Sequence, residues 1–235
     1  MMSNAAMLWT GGKDSSLALY EAKLLGYEVK SLVTFVPPGP EFLAHPISFM
    51  KYQAEAIGLP HYTLEVNEPF KASYESAIHS LRERHGIDIL ITGDIAEITA
   101  DIPNVNSEVK NYPNWIIECS KYSDVKVLTP LWGIDRSKLI DRLLSYKFKV
   151  IFSLVKKPWF TIGWLGKEID RNSLEELQNL SMKTELDVCG EQGEYHTLVL
   201  DGPLFKRSIS IDKYSKEIKG SLIYIDIQKV SLKNK

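Results

Sequence analysis

Five short apolar runs, alternating with amphipathic stretches of helical length, constrain what the first half of this chain can become. The runs are Ala5–Trp9, Val29–Val36, Tyr62–Val66, Ile87–Thr92 and Val125–Leu128. Each is short and apolar nearly throughout, as a strand covered on both faces must be. A helix capped by Asp14 or Ser15, with the stripe Leu17, Leu24 and Leu25 and closed by Gly26, fills the first gap. Helices over Pro46–Ile57, Pro69–His85 and Asn114–Lys121 fill the others, and Pro37-Pro38-Gly39-Pro40 stops the second strand. Strand, helix, strand at this spacing predicts an α/β fold: right-handed crossovers and a parallel sheet with helices on both faces.

The second half is less regular. Ser137–Leu144 and Ser173–Met182 read as helices, and Val150–Val155 as a strand. Thr197–Leu200 and Leu222–Val230 alternate apolar and polar residues, as half-buried antiparallel strands do. The architecture changes near Pro130–Gly133, which predicts a sheet domain over 1–130 and a smaller C-terminal α+β region over 131–235.

Composition removes several function classes. The 235 residues carry a formal charge of −2, so no basic surface for nucleic acid is expected. Cys119 and Cys189 form no CxxC, and the five histidines show no pair at helical ligand spacing, which argues against disulfide and zinc frameworks. No run approaches a membrane span, and MMSNAAMLW has no basic n-region, so a cytoplasmic location is expected.

The densest chemistry is Thr10-Gly11-Gly12-Lys13-Asp14-Ser15-Ser16, where the first strand breaks and the first helix begins. Two glycines allow backbone to approach an anion, and N–H groups at a helix start favour negative charge. Thr10, Ser15 and Ser16 add hydroxyls, and Lys13 adds a positive charge. Asp14 suits such a loop if it orients the turn or contacts Mg²⁺. A Walker loop is excluded because Asp14 follows the lysine and Met7 stands at the first glycine position. The dinucleotide fingerprint fails for want of a third glycine.

TGGKDS resembles the SGGKDS loop of the N-type ATP pyrophosphatases, or PP-loop enzymes, with Thr10 keeping a hydroxyl at the family's first serine. The resemblance implies the adenine-nucleotide α-hydrolase-like fold and a loop, Thr10 to Ser16, that binds ATP by its pyrophosphate.

A second cluster runs from Cys189 through Gly190, Glu191, Gln192, Gly193, Glu194, Tyr195 and His196 to Thr197, and continues to Asp201-Gly202-Pro203. From its residues alone this is a solvated acidic turn, or carboxylates gathered to meet a cation or amine. It is similar to the GEGGEYET…DGP pattern of the diphthine–ammonia ligase family within the PP-loop group. His45, Gln53–Pro60, Gly93-Asp94-Ile95, Pro130-Leu131-Trp132 and Leu165-Gly166-Lys167 agree as well, so the similarity spans nearly the whole chain.

What that resemblance implies is an amide-forming ligase using ATP and Mg²⁺. A carboxylate attacks the α-phosphate, pyrophosphate leaves, and ammonia converts the acyl-adenylate to an amide plus AMP. The family's acceptor is diphthine on elongation factor 2. Lys13 and Asp14 then serve the first step, while Glu191, Glu194 and His196 serve the amine. Gln192 replaces a family glycine and His196 a family glutamate, so a neutral imidazole accepts where a carboxylate did, and activity would fall below pH about 6.5. Thr34 and Phe35, ending the second strand, are placed to flank an adenine or to fill the core. Gly93 and Asp94 follow a strand end, where open α/β sheets hold ligands and where helices are capped. Competing readings are a PP-loop ATP pyrophosphatase of the same family with a different acceptor, to which the departures at Gln192 and His196 point, a tRNA-thiolating PP-loop enzyme, disfavoured by balanced charge and the missing CxxC, and a nonenzymatic ATP sensor, which has no use for the acidic loop.

Overall fold

The computed structural model describes residues 4–38, 42–97 and 112–235; Gly39 and Pro40 of the proline-rich stop lie outside them. In chain order it begins β1 (Asn4–Leu8), α1 (Lys13–Leu24), β2 (Glu28–Val36), α2 (Ile47–Ile57) and β3 (His61–Glu65). Next come α3 (Phe70–His85), β4 (Ile89–Ile91), α4 (Trp115–Ser120), β5 (Lys126–Leu128) and α5 (Arg136–Ser145). The rest is β6 (Lys149–Lys156), a 3₁₀ turn (Ile162–Trp164), α6 (Arg171–Ser181), β7 (Tyr195–Asp201), β8 (Arg207–Lys219) and β9 (Leu222–Asn234).

The chain divides into two compact units. The first runs to Gly133 except for Gly11–Lys13 and the stretch ending at Gly58 that carries α2; these join Ile134–Lys235 in the second. A single cut at 130/131 therefore does not separate them. The reason lies in α2, whose buried residues include Phe49, Met50, Gln53 and Ile57. The helix packs on β8 and β9, and the Lys206 N–H donates to the Ala56 carbonyl at 2.7 Å.

In the first unit the sheet order is β3-β2-β1-β4-β5, every pair parallel, as the alternation of apolar runs requires. The chain moves outward from β1 to β3 and then returns to the other side for β4 and β5. The switch point thus falls between β1 and β4, whose C-terminal ends lead into Thr10 and Gly93. Ala6, Val33 and Leu90 face α3 and α4 through Ile78, Leu81, Trp115, Ile116 and Cys119. Ala5, Met7 and Leu32 are equally buried on the opposite face, where a right-handed crossover puts α1.

Helix α1 corrects two expectations. It starts at Lys13, so Asp14 sits in its first turn and is not its cap. Its burial also runs lengthwise: Ser15 to Leu19 are all buried, whereas Leu24 and Leu25 are 57% and 64% exposed. A stripe drawn through Leu17, Leu24 and Leu25 by period alone misses that gradient. Gly26 does end the helix: at φ 88° its N–H reaches Lys23, while the Tyr27 N–H reaches Ala22.

The second unit holds an antiparallel sheet in the order β7-β6-β9-β8. β8, which the sequence reading did not identify, forms a long hairpin with β9 closed at Gly220, where φ is 63°. Among the described residues no helix is long and apolar enough to cross a membrane.

Candidate functional site

In the first unit, the sequence-predicted residues fall at strand ends or in the first turn of α1 but differ in what they do. A Cβ on Gly93 would lie 2.8 Å from the Ser15 backbone nitrogen and 2.9 Å from the Asp14 carbonyl carbon. Gly93 is therefore bare so that the first turn of α1 can rest on the end of β4. Thr10 donates from Oγ1 to Ser15 Oγ at 3.2 Å, and Ser16 Oγ is buried with no hydrogen-bond partner among the described residues. Asp94 accepts from Asn114 Nδ2 at 2.8 Å, and Asn114 Oδ1 in turn caps α4 through the Ile117 N–H. Asp94 thus orients a cap.

Thr34 and Phe35 do not flank one ring. Successive strand residues point to opposite faces. Phe35 packs with the core beneath α3, its ring 4.8 Å from that of Tyr74. The Thr34 hydroxyl donates to the Trp9 carbonyl at 2.6 Å and lies 2.8 Å from His61 Nε2. Both are committed to packing and strand-end hydrogen bonds.

The second unit gathers the rest. Gly11 has φ 75°, and a Cβ there would collide with Gln53 Oε1. Gln53, fully buried, donates from Nε2 to the carbonyls of Gly11 and Val199 at 2.8 Å each. The Val199 N–H also donates to the Gly11 carbonyl, at 3.1 Å. A Cβ on Gly12 would lie 3.1 Å from His45 Cε1 and 3.3 Å from the Thr197 carbonyl oxygen. The glycines are thus required by their own protein neighbours as well as by any anion, and only Gly11 has a positive φ.

Lys13, 4% exposed, is fixed by its backbone N–H donating to Thr197 Oγ1 at 3.0 Å. Its Nζ lies 3.9 Å from Glu191 Oε1 and 5.7 Å from the centroid of the Tyr195 ring. Tyr195 belongs to an aromatic cluster with Phe152 and Phe160, and its hydroxyl donates to the Val188 carbonyl at 2.6 Å. It is core, with one ring face left to the lysine.

The two glutamates of the acidic loop separate sharply. Glu191 is 30% exposed beside Lys13. Glu194 is 1% exposed and accepts the N–H groups of Asp187 at 2.7 Å and Gln192 at 2.9 Å, one on each oxygen. It ties its own loop together, which corrects the expectation that it meets an amine.

His196 meets a residue that the sequence reading left without a role. Its Nδ1 lies 3.4 Å from Nε2 of His45, with the rings edge to face. Burial, then the neighbouring positive charge of Lys13, lowers the His196 pKa from 6.5 to about 4. Burial, His196 and Lys13 lower that of His45 to about 3. Both imidazoles are neutral at pH 7, and the acid limb expected below about 6.5 moves to about 4. An imidazole this acidic cannot take a proton from ammonium; it can hold or accept a hydrogen bond.

Three contributors were not singled out by function from sequence: His45, Gln53 and Thr197. Gln53 carried a signal, since an amide in the apolar stripe with Phe49, Met50 and Ile57 must find partners inside. His45 and Thr197 matched the family pattern, but neither signalled its partner, because each acts through a contact more than 100 positions away.

A family model described as the diphthamide synthase N-terminal domain matches residues 2–103, and one described as the diphthamide synthase C-terminal domain matches residues 135–232. A Danio rerio protein named diphthine–ammonia ligase is 29% identical over 228 residues, covering 87% of this chain and 85% of that protein. A Schizosaccharomyces pombe protein of the same name is 28% identical over 241 residues; the match covers 94% of this chain but 38% of the yeast protein. A Mus musculus protein, again so named, is 24% identical over 260 residues, covering 98% and 92%.

Proposed function

The chain belongs to the diphthamide synthase family, and on that premise we propose that it is an ATP-dependent ligase that amidates diphthine with ammonia. Elongation factor 2 carries the acceptor, the reaction is cytoplasmic, and ATP leaves as AMP and pyrophosphate. The observation that carries this reading is the contact between two motifs far apart in the chain. Lys13 of the glycine loop and Thr197 of the acidic-loop strand, 184 positions apart, are joined by a hydrogen bond within one compact unit.

In the first step a carboxylate oxygen of the acceptor bonds to the α-phosphorus while the bond to pyrophosphate breaks. The Gly11–Lys13 turn allows close approach of its backbone and Lys13 brings a cation, so charge leaving with pyrophosphate is met by groups already in place. The hydroxyls of Thr10, Ser15 and Ser16 flank the same turn. Among the described residues no three His, Cys, Asp or Glu side chains form a metal cage. Mg²⁺ arriving on ATP would take one or two carboxylates together with phosphate oxygens. Asp14, part-exposed in the first turn of α1, is the residue that would hold it.

In the second step ammonia bonds to the acyl carbon and AMP departs. Glu191 is the carboxylate placed to hold ammonium or take its proton; His196 and His45, neutral and weakly basic, contribute hydrogen bonds only. Product separation after incubation with ATP, ammonium and diphthine-bearing elongation factor 2 tests the reading. AMP, pyrophosphate and an amidated factor are expected. ADP with orthophosphate overturns the phosphate chemistry, and AMP release without amidation overturns the acceptor.

A further inference from the structure

One imidazole nitrogen near the loop has, like Ser16 Oγ, no explanation in the protein itself. Nδ1 of His45 is buried with no hydrogen-bond partner among the described residues, a costly state for an imidazole nitrogen. The ring itself lies against the loop: Cε1, the carbon between the two ring nitrogens, is 3.1 Å from the place a Cβ on Gly12 would take. The other nitrogen, Nε2, is engaged with His196 Nδ1 at 3.4 Å. His45 therefore sets its ring against the turn that precedes Lys13, with one nitrogen turned to His196 and the other without a partner among the described residues.

We propose that His45 is a ligand-binding residue of this loop, its Nδ1–H donating to an anionic oxygen of the polyphosphate that Gly11–Lys13 receive, and that His196 fixes the tautomer which makes Nδ1 the donor. The proposal rests on the reading of this loop as a polyphosphate site. The proposed tautomer is one of the two that proton counting allows. The contact between the rings holds one proton, and if His196 Nδ1 carries it, His45 Nε2 must accept. The single proton of neutral His45 then sits on Nδ1, the nitrogen that needs a partner. Burial and Lys13 keep both rings neutral, so each has one proton to place. A neutral donor next to Lys13 adds a contact to the anion without a second buried cation.

Two substitutions separate the nitrogens, because an asparagine amide overlays Nδ1 of histidine and a glutamine amide overlays Nε2. Calorimetric titration with MgATP, and separately with inorganic pyrophosphate, is run on the unaltered chain, His45→Asn, His45→Gln and Lys13→Ala. His45→Asn should bind within about threefold of the unaltered chain and His45→Gln about tenfold or more weaker, as expected for a hydrogen bond to a charged ligand. Equal binding by His45→Gln and the unaltered chain, or equal loss in both His45 variants, overturns the proposal. If Lys13→Ala binds as the unaltered chain does, the loop reading itself fails; if Lys13→Ala weakens binding and His45→Gln does not, only the role of His45 fails. Should the variants not fold, ¹H–¹⁵N spectra of the unaltered protein decide. His45 Nδ1 should be the protonated nitrogen and shift on addition of pyrophosphate, and an unprotonated or unmoved Nδ1 overturns the proposal.

Discussion

Nε2 of Gln53 lies 2.8 Å from the carbonyl oxygen of Gly11, so helix α2 grips the glycine turn through a buried amide. Gln53→Met keeps the volume and removes both donations, leaving the Gly11 oxygen with the Val199 N–H alone. The expected cost is about 1–3 kcal/mol of stability, read from urea unfolding, with weaker MgATP binding at temperatures where the variant is folded. A variant as stable as the parent would mean that water replaces the amide.

The two glycines should differ. Gly11→Ala meets both a left-handed φ and the Gln53 side chain, whereas Gly12→Ala meets only tight contacts with His45 and Thr197. Overpacking at Gly12 should cost about 1–3 kcal/mol, and Gly11→Ala should cost more. Thermal midpoints of the two variants, compared side by side, check the order.

Acid should loosen the fold through the histidine pair. Both folded pKa values are lowered, so protons bind the unfolded chain more readily. The pair costs nothing above about pH 6.5, and stability falls as pH drops from there toward about 4 for His196 and about 3 for His45. Each contributes at most about 1.4 kcal/mol per pH unit. Urea midpoints at pH 7, 6 and 5 should decline. The decline should be shallower in His45→Asn combined with His196→Gln, where Lys13 and Glu191 remain as the facing charges. An equal slope in the double variant would assign the acid sensitivity elsewhere.

Glu191 and Glu194 should respond in opposite ways to the same change. Glu194→Gln puts an amide N–H₂ against the N–H of Asp187 or Gln192, costing about 1–3 kcal/mol and exposing residues 187–194 to protease. Glu191→Gln, at a part-exposed site, should leave stability within about 0.5 kcal/mol and lower turnover with ammonium. Limited proteolysis and steady-state rates distinguish the two.

The parallel sheet was legible because strands buried on both faces, β1 and β4 above all, show themselves as short apolar runs; all five runs became β1 to β5, although β3 leaves Thr63 and Glu65 exposed. β8 was not, because its apolar residues change phase. Ile209 and Ile211 alternate, the pairing slips around Lys213, and the series resumes at Tyr214 and Ile218 one position out of step. The Thr10–Ser16 loop could be read because its residues are contiguous. The His45–His196 contact could not, since 151 positions of chain separate the rings. Glu194 misled for a different reason: a glycine-rich turn leaves N–H groups pointing inward, and a carboxylate in the turn can serve the backbone itself.

The Gly11 carbonyl has wider consequences than its size suggests. Its oxygen accepts from Gln53 and from Val199, which fills both lone-pair directions. A peptide unit is planar, so an oxygen held on two sides also fixes the amide of Gly12 across the same plane. The plane of that peptide unit is thus set before anything meets the turn, and a crankshaft rotation of the backbone would break both hydrogen bonds. Resistance to such rotation is therefore written in α2 and β7, and a substitution in either element can slow the turn's function while leaving every residue from Thr10 to Ser16 unchanged.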